Sequence, residues 1–306
     1  MKITTGTKRA PAKLLLYGVE GVGKTTLAAS APFPLFIDLE GGSNHLDVAR
    51  VECRDWATFQ EVLAHAEQGI GTHCTLVLDT FDWLERAIVE YMLKRDNKSS
   101  VEEYGFGKGY KLLEEEENKL LARLDRLRDL GWNIVILAHS KVVKFEEPGG
   151  EAYDRHELKC EKRGSALIKE WADAVIFANF HTDVIKKDGK AKAVGGTERV
   201  MYTTRTAAYD AKNRAGLGSP LSMDPGHLAG LYVTPAGKSV APLAWDSASI
   251  QKIVKDLDQE QVLAFLVAKK LLSATSTIND APVSTLEMIV AHPDRFVAGV
   301  KSHSAA

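Results

Sequence analysis

Apolar residues follow two alternating patterns along most of the chain: short unbroken runs, and stretches in which they recur every three or four residues. Unbroken runs of about five residues mark strands buried on both faces of a parallel sheet. Lys13 to Tyr17 (KLLLY), Pro34 to Asp38 (PLFID), Ala49 to Cys53 and Thr75 to Asp79 (TLVLD) are the first four. Trp132 to Ala138 (WNIVILA, ending at His139), Ala174 to Phe180 and Arg199 to Arg205 complete the predicted strands. Helical spacing predicts helices over Thr25 to Ser30, Trp56 to Gln68, Trp83 to about Arg95, Leu112 to Leu130 and Ser165 to Asp173. In the fourth, Leu113, Leu120, Leu124 and Leu127 form a stripe for core packing, and Glu114 to Glu117 fill the first turns, where the helix dipole favours anions.

Between these segments, the polar, glycine-rich stretch Asn97 to Tyr110 and the charged stretch Lys144 to Gly164 are predicted loops, the second mobile. KKDGK at 186–190 predicts an Asp-Gly hairpin turn, and Gly216 to Ala244, with four prolines and five glycines, an extended linker. From Ser247 onward the pattern is helical, with Asp258 and Gln261 spaced as a capping box. Strands alternating with helices predict an α/β core with helices on both faces of a mainly parallel sheet and an antiparallel edge. The predicted domains are residues 1–244 and a small helical domain over 245–306, without internal repeats.

Composition narrows this. At 306 residues, with 45% hydrophobic and 26% charged, the chain is long enough and apolar enough for a sizeable core. The net charge of −2 excludes a histone-like polycation, so any nucleic-acid contact has to be a local patch. Cys53, Cys74 and Cys160 lack C-x-x-C spacing, which argues against a zinc site or a disulfide framework and fits a reducing compartment. No signal-peptide core opens the chain and no run approaches the roughly 18 apolar residues of a membrane helix, so a cytoplasmic protein with no membrane partner is expected.

Gly18 to Thr25 reads GVEGVGKT, meets G-x-x-x-x-G-K-[ST] at every fixed position, and sits between a predicted strand and a predicted helix. Such glycines let the backbone of Gly18, Val19, Glu20, Gly21, Val22 and Gly23 curl so that N–H groups face a β-phosphate. The helix start at Lys24, Thr25 and Thr26 adds partial positive charge. Lys24 is expected to reach the β- and γ-phosphates and the Thr25 hydroxyl to hold Mg²⁺, which makes ATP and Mg²⁺ the expected ligands. Asp79, ending TLVLD, suits the carboxylate of the Mg²⁺ shell on a neighbouring strand; an ordinary strand-ending aspartate is the alternative. Thr80, not a glutamate, follows it, so the water-activating base comes from elsewhere. Glu40, two residues past Asp38, is the candidate, because a carboxylate there can polarise an attacking water. An exposed turn glutamate is the other reading.

FIDLEGG resembles the FIDAE segment of the RecA family, whose glutamate is catalytic. His139 ends its strand where RecA-like proteins carry a polar residue that senses the γ-phosphate, and histidine can donate there; a strand-end histidine with a structural bond is the alternative. DAKNRAG, Asp210 to Gly216, is similar to the K-x-R-x-G segment of RecA-like hexameric helicases. This implies that Lys212 and Arg214 reach the γ-phosphate of a neighbouring subunit and that ATP lies at the interfaces of a homo-oligomer. The two predicted loops fall where RecA proteins bind DNA. That implies single-stranded DNA contacts from Tyr104, Phe106, Lys108 and Tyr110 in the first, and from Lys159, Lys162 and Arg163 in the second. Glu102, Glu103, Glu146 and Glu147 work against those contacts, and ordinary surface loops are the alternative.

From Lys13 to about Pro220 the order of features, with YGFGKGY, the strand ending in His, EWADAVIF and AKNR, resembles the RecA-like P-loop ATPases of bacteriophage genomes, Sak-type annealing proteins among them. The resemblance implies DNA-stimulated ATP hydrolysis and ATP-modulated annealing or pairing of single strands in phage recombination or replication. It places the protein in a bacterial host cell, with a single-strand binding protein as a further partner. The short stretch before Lys13 leaves no room for RecA's polymerisation segment, so ring, filament and smaller oligomer stay open. The rival functions are a helicase-like or helicase-loading ATPase, a P-loop small-molecule kinase, and a nucleotide-gated binding module. The chain has no arginine-rich lid for a kinase and no N-K-x-D motif for a GTPase.

Overall fold

In the computed structural model, which describes residues 5–6, 9–69, 73–147, 150–187, 190–234, 248–269, 271–272, 277–278, 285–286, 289 and 293–304, the apolar runs are strands. They are β1 (Lys13–Gly18), β2 (Pro34–Asp38), β3 (Ala49–Glu52), β4 (Thr75–Asp79), β5 (Asn133–Phe145), β6 (Tyr153–Leu158), β7 (Ala174–Lys187) and β8 (Lys190–Tyr202), followed by the short β9 (Lys212–Asn213) and β10 (Leu221–Ser222). Among the described residues they form one sheet of order β10-β8-β7-β1-β5-β4-β2-β3, with β9 on β7 and β6 on β5. The six strands from β7 to β3 are parallel; β8, β9 and β10 make the antiparallel side. β5 therefore separates β1 from β4, and the ends of β1, β5, β4 and β2 line up along one edge of the parallel sheet. This is the predicted α/β arrangement, a mainly parallel sheet with an antiparallel side.

The unbroken runs are explained by burial on both faces. Leu15, Tyr17, Ile37, Leu78, Ile136 and Phe177 point into one core, with residues of α2 (Trp56–Gln68), α3 (Phe81–Arg95), α4 (Lys108–Asp129) and α5 (Lys162–Trp171). Their strand neighbours Leu14, Leu16, Phe36, Val77, Leu137 and Ile176 point into the other, with α1 (Lys24–Ala29), Leu228 and Tyr232. Each such side chain contributes about 1.5–3 kcal/mol of transfer free energy. Buried Asn133 ties three segments together at the opposite end of the sheet: its side chain accepts from Ala12 N and Val233 N and donates to Cys74 O and Val233 O.

Two predicted loops are corrected. Within Asn97 to Tyr110, Val101–Tyr104 is a 3₁₀ turn and α4 already begins at Lys108. Lys144 to Gly164 is largely ordered structure: β5 runs on to Phe145, β6 returns antiparallel to it, and α5 starts at Lys162. The hairpin escaped the pattern because its charges fall on both faces, while its packing comes from Phe145 on Tyr153, with ring centres 5.6 Å apart. In the β7–β8 ladder Lys187 stands opposite Lys190; the Asp188–Gly189 turn itself lies outside the described residues.

The chain separates into two compact units, Met1–Pro235 and Ala236–Ala306. The predicted boundary near 245 falls outside the described residues. In the second unit α6 (Ala248–Val254), α7 (Gln259–Ala268) and α8 (Pro293–Ser304) enclose Ile250, Val262, Leu266, Phe296 and Val300. Asp258 caps α7 by accepting from Glu260 N at 2.7 Å. No helix among the described residues is long and apolar enough to cross a membrane.

Candidate nucleotide site

The loop after β1 is shaped by close backbone approach. Gly18 pairs with His139 on one side and Ala178 on the other, and a Cβ at Gly18 would sit 2.0 Å from Ala178 O. Val19 N donates to that same carbonyl. Gly21 and Gly23 have φ of 71° and 99°, a region in which side chains other than glycine are strained. Val22 is fully buried beneath them and anchors the loop. Lys24 opens α1 and folds back, its ammonium donating to Val19 O at 2.9 Å and Gly18 O at 3.2 Å. Burial lowers its pKa, opposed by the charges of Asp79, Glu40, Asp82 and Glu20 around it. Thr25 is half-buried and Thr26 exposed; Glu20, also exposed, reaches Lys159 at 3.4 Å.

Asp38 and Asp79 end adjacent strands in register but have opposite environments. Asp38 is saturated: Gly41 N donates to one oxygen, and Ser43 N and Oγ to the other. Burial works to raise its pKa, but these bonds outweigh it and hold the carboxyl below its usual range. They also fix the turn that carries Glu40. Asp79 is 1% exposed and, among the described residues, neither oxygen has a hydrogen-bond partner. Burial pushes it up to about 7; the neighbouring Thr25 hydroxyl eases the charge without being aligned as a donor, while Glu40 and Asp38 oppose ionisation.

A buried carboxylate with two orphaned oxygens beside a threonine hydroxyl fits a hard divalent cation. Among the described residues no cluster of three or more His, Cys, Asp or Glu is arranged to hold a metal. A cation at Thr25 and Asp79 thus has to complete its shell with water and ligand oxygens, as Mg²⁺ does at phosphates.

Glu40 and His139 meet over β4. Thr80 Oγ1 donates to Glu40 Oε2 at 3.4 Å, and His139 Nδ1 lies 3.8 Å from the same oxygen. The nearer partner of His139 is Asp82: His139 N donates to Oδ1 and Nδ1 lies 3.0 Å from Oδ2. Asp82 is buried; desolvation alone would raise its pKa, but the bonds from His139 hold it below the usual range. Sequence reasoning missed Asp82. The available signal was a second carboxylate three residues after Asp79 in the first turn of α3, which reads equally well as dipole compensation.

The remaining candidates are spread elsewhere. Lys212 and Asn213 pair with Val175 and Ala174 at the start of β7, beside Leu15 and Leu14, about 10 Å along the strand from Gly18. The Lys212 ammonium donates to Lys169 O, Glu170 O and Ala172 O and so caps the C-terminus of α5, while Arg214 pairs with Asp173 at 2.9 Å. Tyr104, half-buried, donates its hydroxyl to Met92 O and Asp96, and Tyr110, also half-buried, donates to Glu102. Phe106 is fully exposed and Lys108 is exposed beside it. Arg163 pairs with Glu114 at 3.2 Å. Lys162 lines a groove of about 520 Å³ together with Lys141, Lys144, Phe145 and Lys169.

Compared with known proteins, residues 10–215 match the family described as an AAA domain. Among solved structures, a KaiC-like protein from the hyperthermophilic archaeon Pyrococcus horikoshii OT3 is similar at 16% identity and a TM-score of 0.38, over 71% of this chain and 88% of that one. No curated protein matches.

Proposed function

The chain belongs to the AAA domain family of P-loop ATPases, and on that premise we propose that it binds MgATP across Gly18–Thr26, hydrolyses it, and acts on single-stranded DNA in phage recombination, annealing or replication. The observation that carries the nucleotide site is the convergence of Lys24, Thr25 and the unpartnered Asp79 carboxylate at the edge of the sheet. Thr25 and Asp79 would hold Mg²⁺, which when bound supplies positive charge against the phosphate oxygens. Lys24 exchanges its two carbonyl acceptors for phosphate oxygens.

Glu40, held by the Asp38 turn and Thr80, accepts the proton of the attacking water. His139, fixed through Nδ1 on Asp82, keeps Nε2 for a phosphate oxygen; in the imidazolium form both nitrogens donate. Lys212 and Arg214 lie too far from their own loop to serve it, so any phosphate they contact belongs to a neighbouring copy. Arg214 is the better placed of the two, because Lys212 would first abandon three carbonyls. Support for single-stranded DNA comes from the exposed Phe106 ring with Lys108, and from Lys144 and Lys162 in the groove, where Lys169 is already paired with Glu157 and Asp210.

The test is equilibrium binding and turnover with and without a single-stranded oligonucleotide. Lys24→Ala loses ATP binding; Glu40→Gln keeps binding and loses hydrolysis, whereas equal rates in Glu40→Gln and wild type remove the general-base assignment. DNA-stimulated turnover that rises cooperatively with protein concentration supports shared sites; a rate indifferent to both removes the DNA and oligomer claims.

A further inference from the structure

β8 brings a second cation to the phosphate loop. Arg199 stands opposite Phe180 in the β7–β8 ladder, two residues past Ala178, whose carbonyl accepts from Val19 N of the loop. Alternation along β8 puts Arg199 on the same face as Met201. Met201 is buried with Val22, Leu27 and Ala28, the apolar cluster beneath the loop and α1. One step along that face, Arg199 leaves the cluster and leans over the loop: a guanidinium nitrogen comes within 3.1 Å of where a Cβ on Gly23 would sit. The side chain is exposed. Among the described residues it has no carboxylate partner, nor does it bond loop carbonyls as Lys24 does.

We propose that Arg199 is a phosphate-binding residue of the nucleotide site, supplied by the chain's own β7–β8 hairpin. Its guanidinium pairs with phosphate oxygens of the nucleotide held by Gly18–Thr26. A planar guanidinium beside the loop fits a phosphate through two parallel hydrogen bonds. Arg199 does this in cis, at the loop end of the sheet, whereas Arg214 sits at the other end. The proposal rests on the ATP reading above and adds a specific consequence: a single subunit holds the polyphosphate between a lysine and an arginine.

Equilibrium dialysis of ATP, ADP and AMP with Mg²⁺, at low and moderate salt, compares wild type with Arg199→Ala, Arg199→Lys and Lys24→Ala. Arg199→Ala is expected to weaken ATP and ADP about 10- to 100-fold, as loss of a charged hydrogen bond implies, to weaken AMP less, and to flatten the salt dependence. Arg199→Lys recovers part of the loss. Loss of ATP by Lys24→Ala with unchanged affinity in Arg199→Ala overturns the arginine assignment and leaves the loop standing, whereas full retention by both variants overturns the loop itself. Equal weakening of AMP and ATP puts the arginine on the nucleoside and overturns the phosphate contact. Thermal unfolding without nucleotide checks the fold; should Arg199→Ala be unstable, Arg199→Gln keeps most of the stem and is judged by the same criteria.

Discussion

Glu117→Gln should make the protein more stable, and the reason is a proton. Glu117 lies on α4, 1% exposed, and among the described residues neither oxygen has a hydrogen-bond partner. Its neighbours are Glu85 of α3 and Glu161, whose N–H donates to both oxygens of Glu85. α5 closes the space: a Cβ on Gly164 would fall 2.4 Å from Glu117 Oε1. Burial first, then the charges of Glu85 and Glu161, push Glu117 from 4.5 up to about 9. Glu117 is therefore held as the neutral acid beside the Glu85 carboxylate, and the shift belongs to the two together.

Below pH 4.5 the folded and unfolded chains both carry this proton and nothing is lost. Between 4.5 and about 9 only the folded chain carries it, so stability falls as pH rises, by about 1.4 kcal/mol per unit. At pH 7 the cost is about 3 kcal/mol by this linkage. A glutamine amide is neutral in both states, which removes the cost. A gain of that size raises the Tm of a unit this large by about 6–12 °C. Urea or thermal unfolding at pH 5, 7 and 9 measures it: the variant should gain most at pH 9, least at pH 5, and lose about one proton from the slope. A variant no more stable than wild type at pH 8, or one with an unchanged slope, refutes the shared-proton account.

Gly18→Ala should cost at least about 1–3 kcal/mol through overpacking, because the new methyl meets a backbone carbonyl of β7 and not a side chain that can turn away; an unchanged Tm would falsify the close-approach argument. Asp82→Asn should slow hydrolysis about 10- to 100-fold by loosening His139 while ATP affinity holds, and wild-type turnover would remove Asp82 from the site. Lys212→Met should lower stability by about 1–2 kcal/mol, the worth of a charged cap on three carbonyls, without altering ATP affinity; a Tm equal to wild type would leave the ammonium with no capping role.

What the sequence made legible was local. The strand, Gly18 to Thr25 and the following helix are contiguous, and their spacing alone defines the loop. Asp79 is marked because an ionisable group ends an otherwise apolar run. The β5–β6 hairpin was hidden because it projects past the sheet, where one face is no longer buried and strict alternation fades. The hydroxyl partners of Tyr104 and Tyr110, Met92 O, Asp96 and Glu102, depend on a 3₁₀ turn that a glycine-rich stretch does not announce.

The groups that surround the phosphate loop depend on register and could not be read locally. Asp82 reaches His139 because β5 lies beside β4, so the first turn of α3 faces the end of β5. Arg199 reaches Gly23 because the β7–β8 ladder sets Arg199 opposite Phe180. Moving that ladder by one residue would turn Arg199 to the other face of the sheet and put Val200 or Glu198 over the loop. Either would remove the cation, and glutamate would set a negative charge against a polyphosphate. The irregularity recorded between Phe180 and Thr182 lies just beyond this point, so the register over the loop is set by β8's pairing with the ordered end of β7, next to Ala178. The loop motif thus supplies a backbone cradle and one lysine, and the sheet's topology decides which further charges reach it.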